Sequence, residues 1–137
     1  MTPWRQACEA ALRSFSDADS IRFWGVAHEI GDVQTPIFNY RFEHTFAVVK
    51  MARWLCPLAG ADLDVVECAA WLHDVRKRLK DPHSKDTHAQ DASADLDEIL
   101  TGTDFPSAKI PAVRHAIMHH VGLKLAKRLE PVETACL

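Results

Sequence analysis

The stretch Ala69–Lys77, AAWLHDVRK, sets a histidine beside an aspartate at the end of an apolar run. Val66, Ala69 and His73 fall at i, i+3 and i+7, which is one face of a helix. The imidazole of His73 therefore continues the face that packs inward. Asp74 is turned about 100° round the same helix, yet near a helix C-terminus both side chains can reach one point. Burying that carboxylate unpaired is costly. A cation held among neutral imidazoles and the carboxylate removes the penalty. A chain with eight histidines can carry a His-Asp pair by chance, so the case rests on its surroundings.

The same layout recurs on both sides of the pair. His44, Val48, Met51 and Leu55 follow i, i+4, i+7 and i+11 on a helix over about 41–55. Val113, Ile117 and His120 share a face of a helix over about 107–120. His88 opens another helix, just past the polar loop 78–87. A single histidine on an apolar stripe is ordinarily a satisfied core residue. Three helices doing the same, one with an adjacent carboxylate, point to a metal. Mixed His and Asp ligands suit Mn, Fe, Co, Ni or Zn, and Mg less well.

The rest of the chain supports one domain over 1–137. Its 137 residues are 47% apolar and 26% charged, a globular balance that excludes disorder and low complexity. A chain this long buries roughly 68% of its unfolded surface and needs no disulfides. The formal charge of −3 excludes a general nucleic-acid footprint. Cys8, Cys56, Cys68 and Cys136 contain no CxxC pair, which argues against a zinc knuckle or redox site. No apolar run approaches the roughly 20 residues of a membrane span, and the first residues, MTPWRQACEAALRSF, are charged and amphipathic without the apolar stretch of a signal peptide. A cytoplasmic location is expected.

Turn and cap signals divide the chain into helices. Thr2 and Pro3 read as N-cap and first position of a helix to about Ser16. A second helix runs from about Ser20 to Gly31, before a loop over 31–39 carrying Pro36. The third, over about 41–55, stops at Pro57 and Gly60. Asp62 or Asp64 caps a fourth to about Lys77. A fifth spans His88 to Leu100, with Gly102 beyond it, and a sixth spans Ser107 to His120. The reading is an all-α bundle of about six helices.

Taken together, YRFEHT at 40–45, AAWLHDVRK at 69–77, His88 in THAQDASADLDEIL and IPAVRHAIMHHVGL at 110–123 resemble the HD-domain superfamily of metal-dependent phosphohydrolases. The core motifs cover 40–123. The resemblance implies an HD-type helical bundle in which His44, His73 and Asp74 hold a divalent metal. It also implies a second aspartate from a later helix, just beyond a segment like EPVETACL. That segment is 130–137 here, and the sequence given ends at Leu137. The expectation is a truncated form. Otherwise His88, His120, water or a partner's residue fills the place.

What the resemblance implies for chemistry is hydrolysis of a phosphomonoester or phosphodiester, a nucleotide in particular. The metal brings the pKa of bound water from 15.7 towards about 7 for in-line attack at phosphorus. The catalytic candidates are Asp74, Lys77 and Arg41. Lys77 either neutralises charge on the phosphate or is a solvated member of Arg76-Lys77-Arg78. Arg41 either clamps the phosphate or pairs with Glu43 or a helix end. His88, His120 and His119 are candidates for a second metal or for substrate, so the cofactor is one divalent ion or two (Mn, Fe, Co, Ni, Zn or Mg). His115 and His119 share a face and read as a solvated turn. His28 and His83 read as surface residues. Trp4, Trp24, Trp54 and Trp71 read as core and interface anchors, with Trp71 near enough to His73 to line a pocket. The partner is a small phosphorylated substrate, and apolar Val132 and Leu137 suggest a homodimer. The rival reading is an HD-like module without catalysis that binds a nucleotide or a protein partner.

Overall fold

The computed structural model describes residues 1–78, 87–120 and 131–137, without the side chain of Ala135. Residues 79–86, with His83, and residues 121–123 of the last motif lie outside the described residues.

The fold is built round the helix Leu63–Leu72, LDVVECAAWL. Asp62 caps it, its carboxylate accepting from the Val65 N–H. Every residue from Val65 to Val75 is buried. A helix buried on all sides belongs at the centre of a bundle. In chain order the elements are α1 (Trp4–Trp24), β1 (Val26–Ile30), β2 (Val33–Pro36), α2 (Tyr40–Ala59), α3 (Leu63–Leu72), α4 (His88–Leu100), α5 (Ile110–His119) and α6 (Val132–Cys136). α1, α2, α5 and α6 pack round α3, while α4 packs on α1 and α5. The architecture is the expected all-α bundle of six helices, among the described residues. It carries one hairpin and a 3-10 turn at Ser107–Lys109.

Four local expectations are corrected. The two helices expected before residue 31 are one helix to Trp24 followed by a hairpin. The helix runs unbroken through Ser16 and Asp17, where Asn39 donates to Ser16 Oγ at 2.9 Å and Asp17 Oδ1 at 2.8 Å. The Asn39 side chain thus holds both residues in place and also caps α2. The hairpin is antiparallel, with Ile30 opposite Val33 across the Gly31-Asp32 turn. Gly31 has φ of 60° there, a left-handed conformation that glycine adopts at little cost. Both strands are almost wholly exposed, so burial gave no alternation to read. Thr2 does not cap α1 with its side chain. Asp104 Oδ1 accepts from the Trp4 N–H at 2.7 Å instead, and Thr2 bridges to Thr103.

The other two corrections bear on the site. The inward face of α2 is Arg41, Thr45, Val49, Ala52 and Cys56, one residue round from the expected stripe. Met51 is therefore exposed and His44 stands at the margin. α2 is apolar on most sides, and its buried Arg41 and Thr45 disguised the true face. The expected helix to Lys77 ends at Leu72, and His73–Arg76 turn more tightly. Val75 N–H donates to Leu72 O and Lys77 N–H to Asp74 O, three-residue bonds that swing His73 and Asp74 to one side.

At the C-terminal side, Val132 and Leu137 are half-buried, and Leu137 packs against the core. The exposed apolar side chains include Met51, Trp54 and Leu58 of α2. Trp4 and Trp71 are core residues, and Trp24 and Trp54 are exposed. No helix among the described residues is long and apolar enough to cross a membrane.

Candidate metal centre

Four histidines from four parts of the bundle converge on Asp74. His44 comes from the second turn of α2, and its ring stacks on Tyr40 at 6.0 Å and 11°. His73 caps the end of α3, with its N–H on Ala69 O. His88 is the first residue of α4 and His120 follows α5. His44 Nε2 and His73 Nε2 each lie 3.4 Å from Asp74 Oδ2. On the other oxygen, Oδ1, His88 Nε2 lies at 3.2 Å and His120 Nε2 at 3.6 Å. His88 and His120 bring their Nε2 atoms within 3.1 Å of each other.

Proton placement decides what this cluster is for. His73 Nδ1 is 2.7 Å from Ala70 O, and His120 Nδ1 is 2.6 Å from Ile117 O. A carbonyl only accepts, so each Nδ1 must donate. In the neutral imidazole the proton is then spent, and Nε2 presents a lone pair. That lone pair faces a carboxylate oxygen, which also only accepts. Two acceptors held face to face call for a cation between them, a proton or a metal ion. The tie from the ring's far nitrogen to a carbonyl is the usual support of a metal-ligating histidine. The spacing agrees. Donors about 2.1 Å from one ion stand roughly 3.0–3.4 Å apart at octahedral or tetrahedral angles.

The donors fall into two triads, His44–His73–Asp74 and Asp74–His88–His120, with the ligand atoms of each within 4.8 Å of one another. Asp74 is common to both. Among the described residues it is the only carboxylate in either triad. The residues present fit a divalent transition ion at either triad, or one at each.

The family comparison agrees with that chemistry. The family model for the HD domain matches residues 41–136. The chain belongs to the HD-domain family. Neither a search of curated proteins nor one of solved structures returned a match. HD domains are metal-dependent phosphohydrolases as a superfamily and bind divalent metals. All four histidines and Asp74 lie inside the matched span.

The electrostatics of this HD domain centre on one guanidinium. Arg41 donates from Nη1 to Asp74 Oδ2 at 2.9 Å, with both side chains buried. It pairs with neither Glu43 nor a helix end, the two partners considered from sequence. Burial alone would raise the Asp74 pKa. With the two rings protonated, hydrogen bonds from His120 and His73 and the charges of His73 and Arg41 outweigh it and hold the carboxyl well below its usual range; with the rings neutral, the Arg41 charge acts in the same direction. For His44, burial lowers the pKa from the ordinary 6.5 against the pull of Asp74, and the positive charges of His73, Arg41 and Lys77 act with burial. The neutral, donor form of His44 is favoured.

Two sequence candidates stand apart from the centre. Lys77 is exposed, and its charge reaches the cluster as the last of those influences on His44. His119 is also exposed, with its ring 4.4 Å from that of His115. His120, one residue on, is the histidine that turns inward. His28 is exposed on β1. Trp71 is buried, with its ring 6.4 Å from that of Phe42 and 6.3 Å from that of Phe46. The buried cysteines, Cys8, Cys56 and Cys68, belong to the core. Sequence reasoning found Arg41 but not its partner. The available signal was its position three residues before His44, nearly one helical turn.

Proposed function

We propose that this HD domain hydrolyses a small phosphoester, with a nucleotide as the substrate class and one or two divalent ions on Asp74. The supporting observation is that His73 Nε2 and His120 Nε2 stand 3.4 and 3.6 Å from the two oxygens of one carboxylate while the other nitrogen of each ring faces a backbone carbonyl. A donor set of four imidazoles and one carboxylate favours Mn, Fe, Co, Ni or Zn over Mg. When bound, such an ion activates water as a nucleophile and polarises a phosphoryl oxygen.

The chain's own residues supply the rest. Backbone carbonyls of Ala70 and Ile117 fix two rings, so no reorganisation precedes binding. Tyr40 stacks on the more exposed His44 and limits its rotation. Arg41 holds Asp74 ionised. Lys77 stands at the rim, where an exposed ammonium can meet a phosphate without blocking the centre.

The test is metal analysis of the purified chain beside hydrolysis of a generic phosphomonoester and phosphodiester. Tightly held transition metal with turnover, both lost in Asp74→Asn, is the expected result. Metal without turnover favours the rival binding module. Absence of metal even after incubation with Mn2+, Co2+ or Zn2+ overturns the reading.

A further inference from the structure

Two apolar surfaces are left uncovered among the described residues. The first is the outer face of α2. Ala47, Met51, Trp54 and Leu58 follow i, i+4, i+7 and i+11, one stripe of the helix. It lies opposite the inward face that holds Val49, Ala52 and Cys56. Met51, Trp54 and Leu58 are 57%, 65% and 69% exposed, and Ala47, Lys50, Met51 and Trp54 line a shallow cavity of about 390 Å3. A helix apolar on opposite sides is ordinarily covered on both. The second surface is one face of the hairpin. Ile30 pairs with Val33 and His28 with Thr35, so these four share a face, while Glu29 and Gln34 take the other. Ile37 continues the alternation from Val33 and Thr35. Ile30, Val33 and Ile37 are 80%, 68% and 64% exposed. A two-stranded hairpin is marginally stable on its own in water, so this arm gains from a surface to lie on.

We infer that the hairpin arm of one copy of this chain seats its Ile30 and Val33 face on the α2 stripe of a second copy, and that the reciprocal contact closes the pair. Area and charge select this occupant. At the exposures above, and with the side-chain areas typical of large apolar residues, the arm and the stripe each present roughly 400 Å2. Arm on arm, or stripe on stripe, therefore covers about half of the roughly 800 Å2 that each partner buries in a stable interface. The reciprocal contact uses both surfaces of each copy and reaches that area. The arm, 26–36, carries Glu29 and Asp32 and neither lysine nor arginine. α2 carries Lys50 and Arg53 and no acid after Glu43. Arg53 is held by Glu67, while the Lys50 ammonium stands 4.8 Å from the centre of the Phe46 ring, at the edge of the stripe. An acidic arm is drawn to a basic stripe, whereas two arms or two stripes repel. The interface is isologous, each copy giving both halves. It is not the end suggested by the sequence, since Val132 and Leu137 are half-buried. The pairing is independent of the metal centre.

Sedimentation velocity of the full chain across the micromolar range tests the pairing. Wild type should pass from one copy to two as concentration rises. Val33→Asp in the arm and Trp54→Glu in the stripe should each weaken pairing by at least about tenfold, since each puts a charge into both contacts. Both positions are exposed, so both variants should keep the wild-type helical circular dichroism. Should either lose it, Ile30→Asp and Leu58→Glu probe the same two surfaces. An equimolar mixture of the arm and stripe variants should pair again, more weakly than wild type. The intact arm of Trp54→Glu then meets the intact stripe of Val33→Asp. Arm-to-arm or stripe-to-stripe contact cannot give that recovery. One variant would instead pair by itself as tightly as wild type, and that result overturns the inference. A mixture that stays single overturns it too. So does a wild type that stays single throughout, which would leave the two surfaces to another part of the chain or to a different protein.

Discussion

Glu67 and Asp74 stand seven residues apart on α3 and the turn that follows it. Both are buried carboxylates beside arginines, and both are held below their ordinary pKa. Their surroundings differ in where the hydrogens point. Glu67 accepts from Arg5 Nε at 2.8 Å, Arg5 Nη2 at 3.1 Å and Arg53 Nη2 at 2.6 Å. Every one of those contacts is an N–H donor, and the set ties α1 and α2 to α3. Asp74 has one such donor, Arg41, and four imidazole nitrogens. At least two of these, on His73 and His120, bring lone pairs while neutral. Burial and a depressed pKa are therefore common to a structural ion pair and a candidate metal centre. The direction of the hydrogen bonds separates them.

The largest expected effect breaks the metal half of that contrast. Asp74→Asn removes the charge shared by both triads while keeping the shape. Losing an outer partner of a metal ligand costs about 10–100-fold in affinity, so losing the shared ligand should cost at least about 100-fold. Calorimetry or metal retention after dialysis measures it. Glu67→Gln should leave metal affinity within about twofold. Its cost falls on stability, about 1–3 kcal/mol in urea unfolding, because a buried charged acceptor becomes neutral opposite two guanidinium groups. If Glu67→Gln strips metal as Asp74→Asn does, the two carboxylates are not separable and the contrast fails.

A smaller effect sharpens the structural half through pH. Burial works to raise the Glu67 pKa, but hydrogen bonds and charge from Arg5 and Arg53 bring it below 4.5. The stabilisation is thus fully present above the unfolded value near 4.5. It is lost as pH falls through the lower folded value, because the unfolded chain takes up the proton first. Glu67→Gln should flatten that part of the acid limb in a series of melting curves between pH 6 and 3. An unchanged acid limb would mean that Glu67 contributes no pH-dependent stability.

Much of this was legible in the sequence, and its failures have physical causes. The helical period placed Val66, Ala69 and His73, and likewise Val113, Ile117 and His120, on inward faces, and all are buried there except His120, which is partly exposed. Capping chemistry offered Asp62 or Asp64 for the start of α3, and Asp62 is the cap, while α4 starts at His88 as expected. The period misjudged α2, whose buried face holds Arg41 and Thr45 where apolar residues were expected. The hairpin was missed because its strands bury almost nothing. What no local rule reaches is a partner far along the chain. Arg5 finds Glu67 across 62 residues, and Trp4 finds Asp104 across 100. The donors of Asp74 come from His44 to His120, so the residue types of the centre could be read one by one. Which oxygen each faces required the fold.

The smallest expected effects belong to Lys77 and His119, chemically plausible in the sequence and exposed in the structure. Substituting an exposed side chain away from caps and cores usually changes stability by no more than about 0.5 kcal/mol. Lys77→Ala should therefore unfold like wild type and keep its metal. Its charge is one of the influences holding the His44 pKa down, so its loss should let that pKa rise slightly towards 6.5. Any catalytic effect should appear in KM, because a rim ammonium that attracts a phosphate contributes to binding before the reacting atoms meet. A rise of a few-fold in KM with kcat unchanged fits uniform binding. A large fall in kcat would place the Lys77 amine on the reacting phosphoryl group, inside the centre rather than at its edge. His119→Ala should change neither metal affinity nor KM, since its ring neighbour is His115 and not Asp74. Loss of an ion in that variant would mean that His119 displaces His120 at the carboxylate when metal is bound.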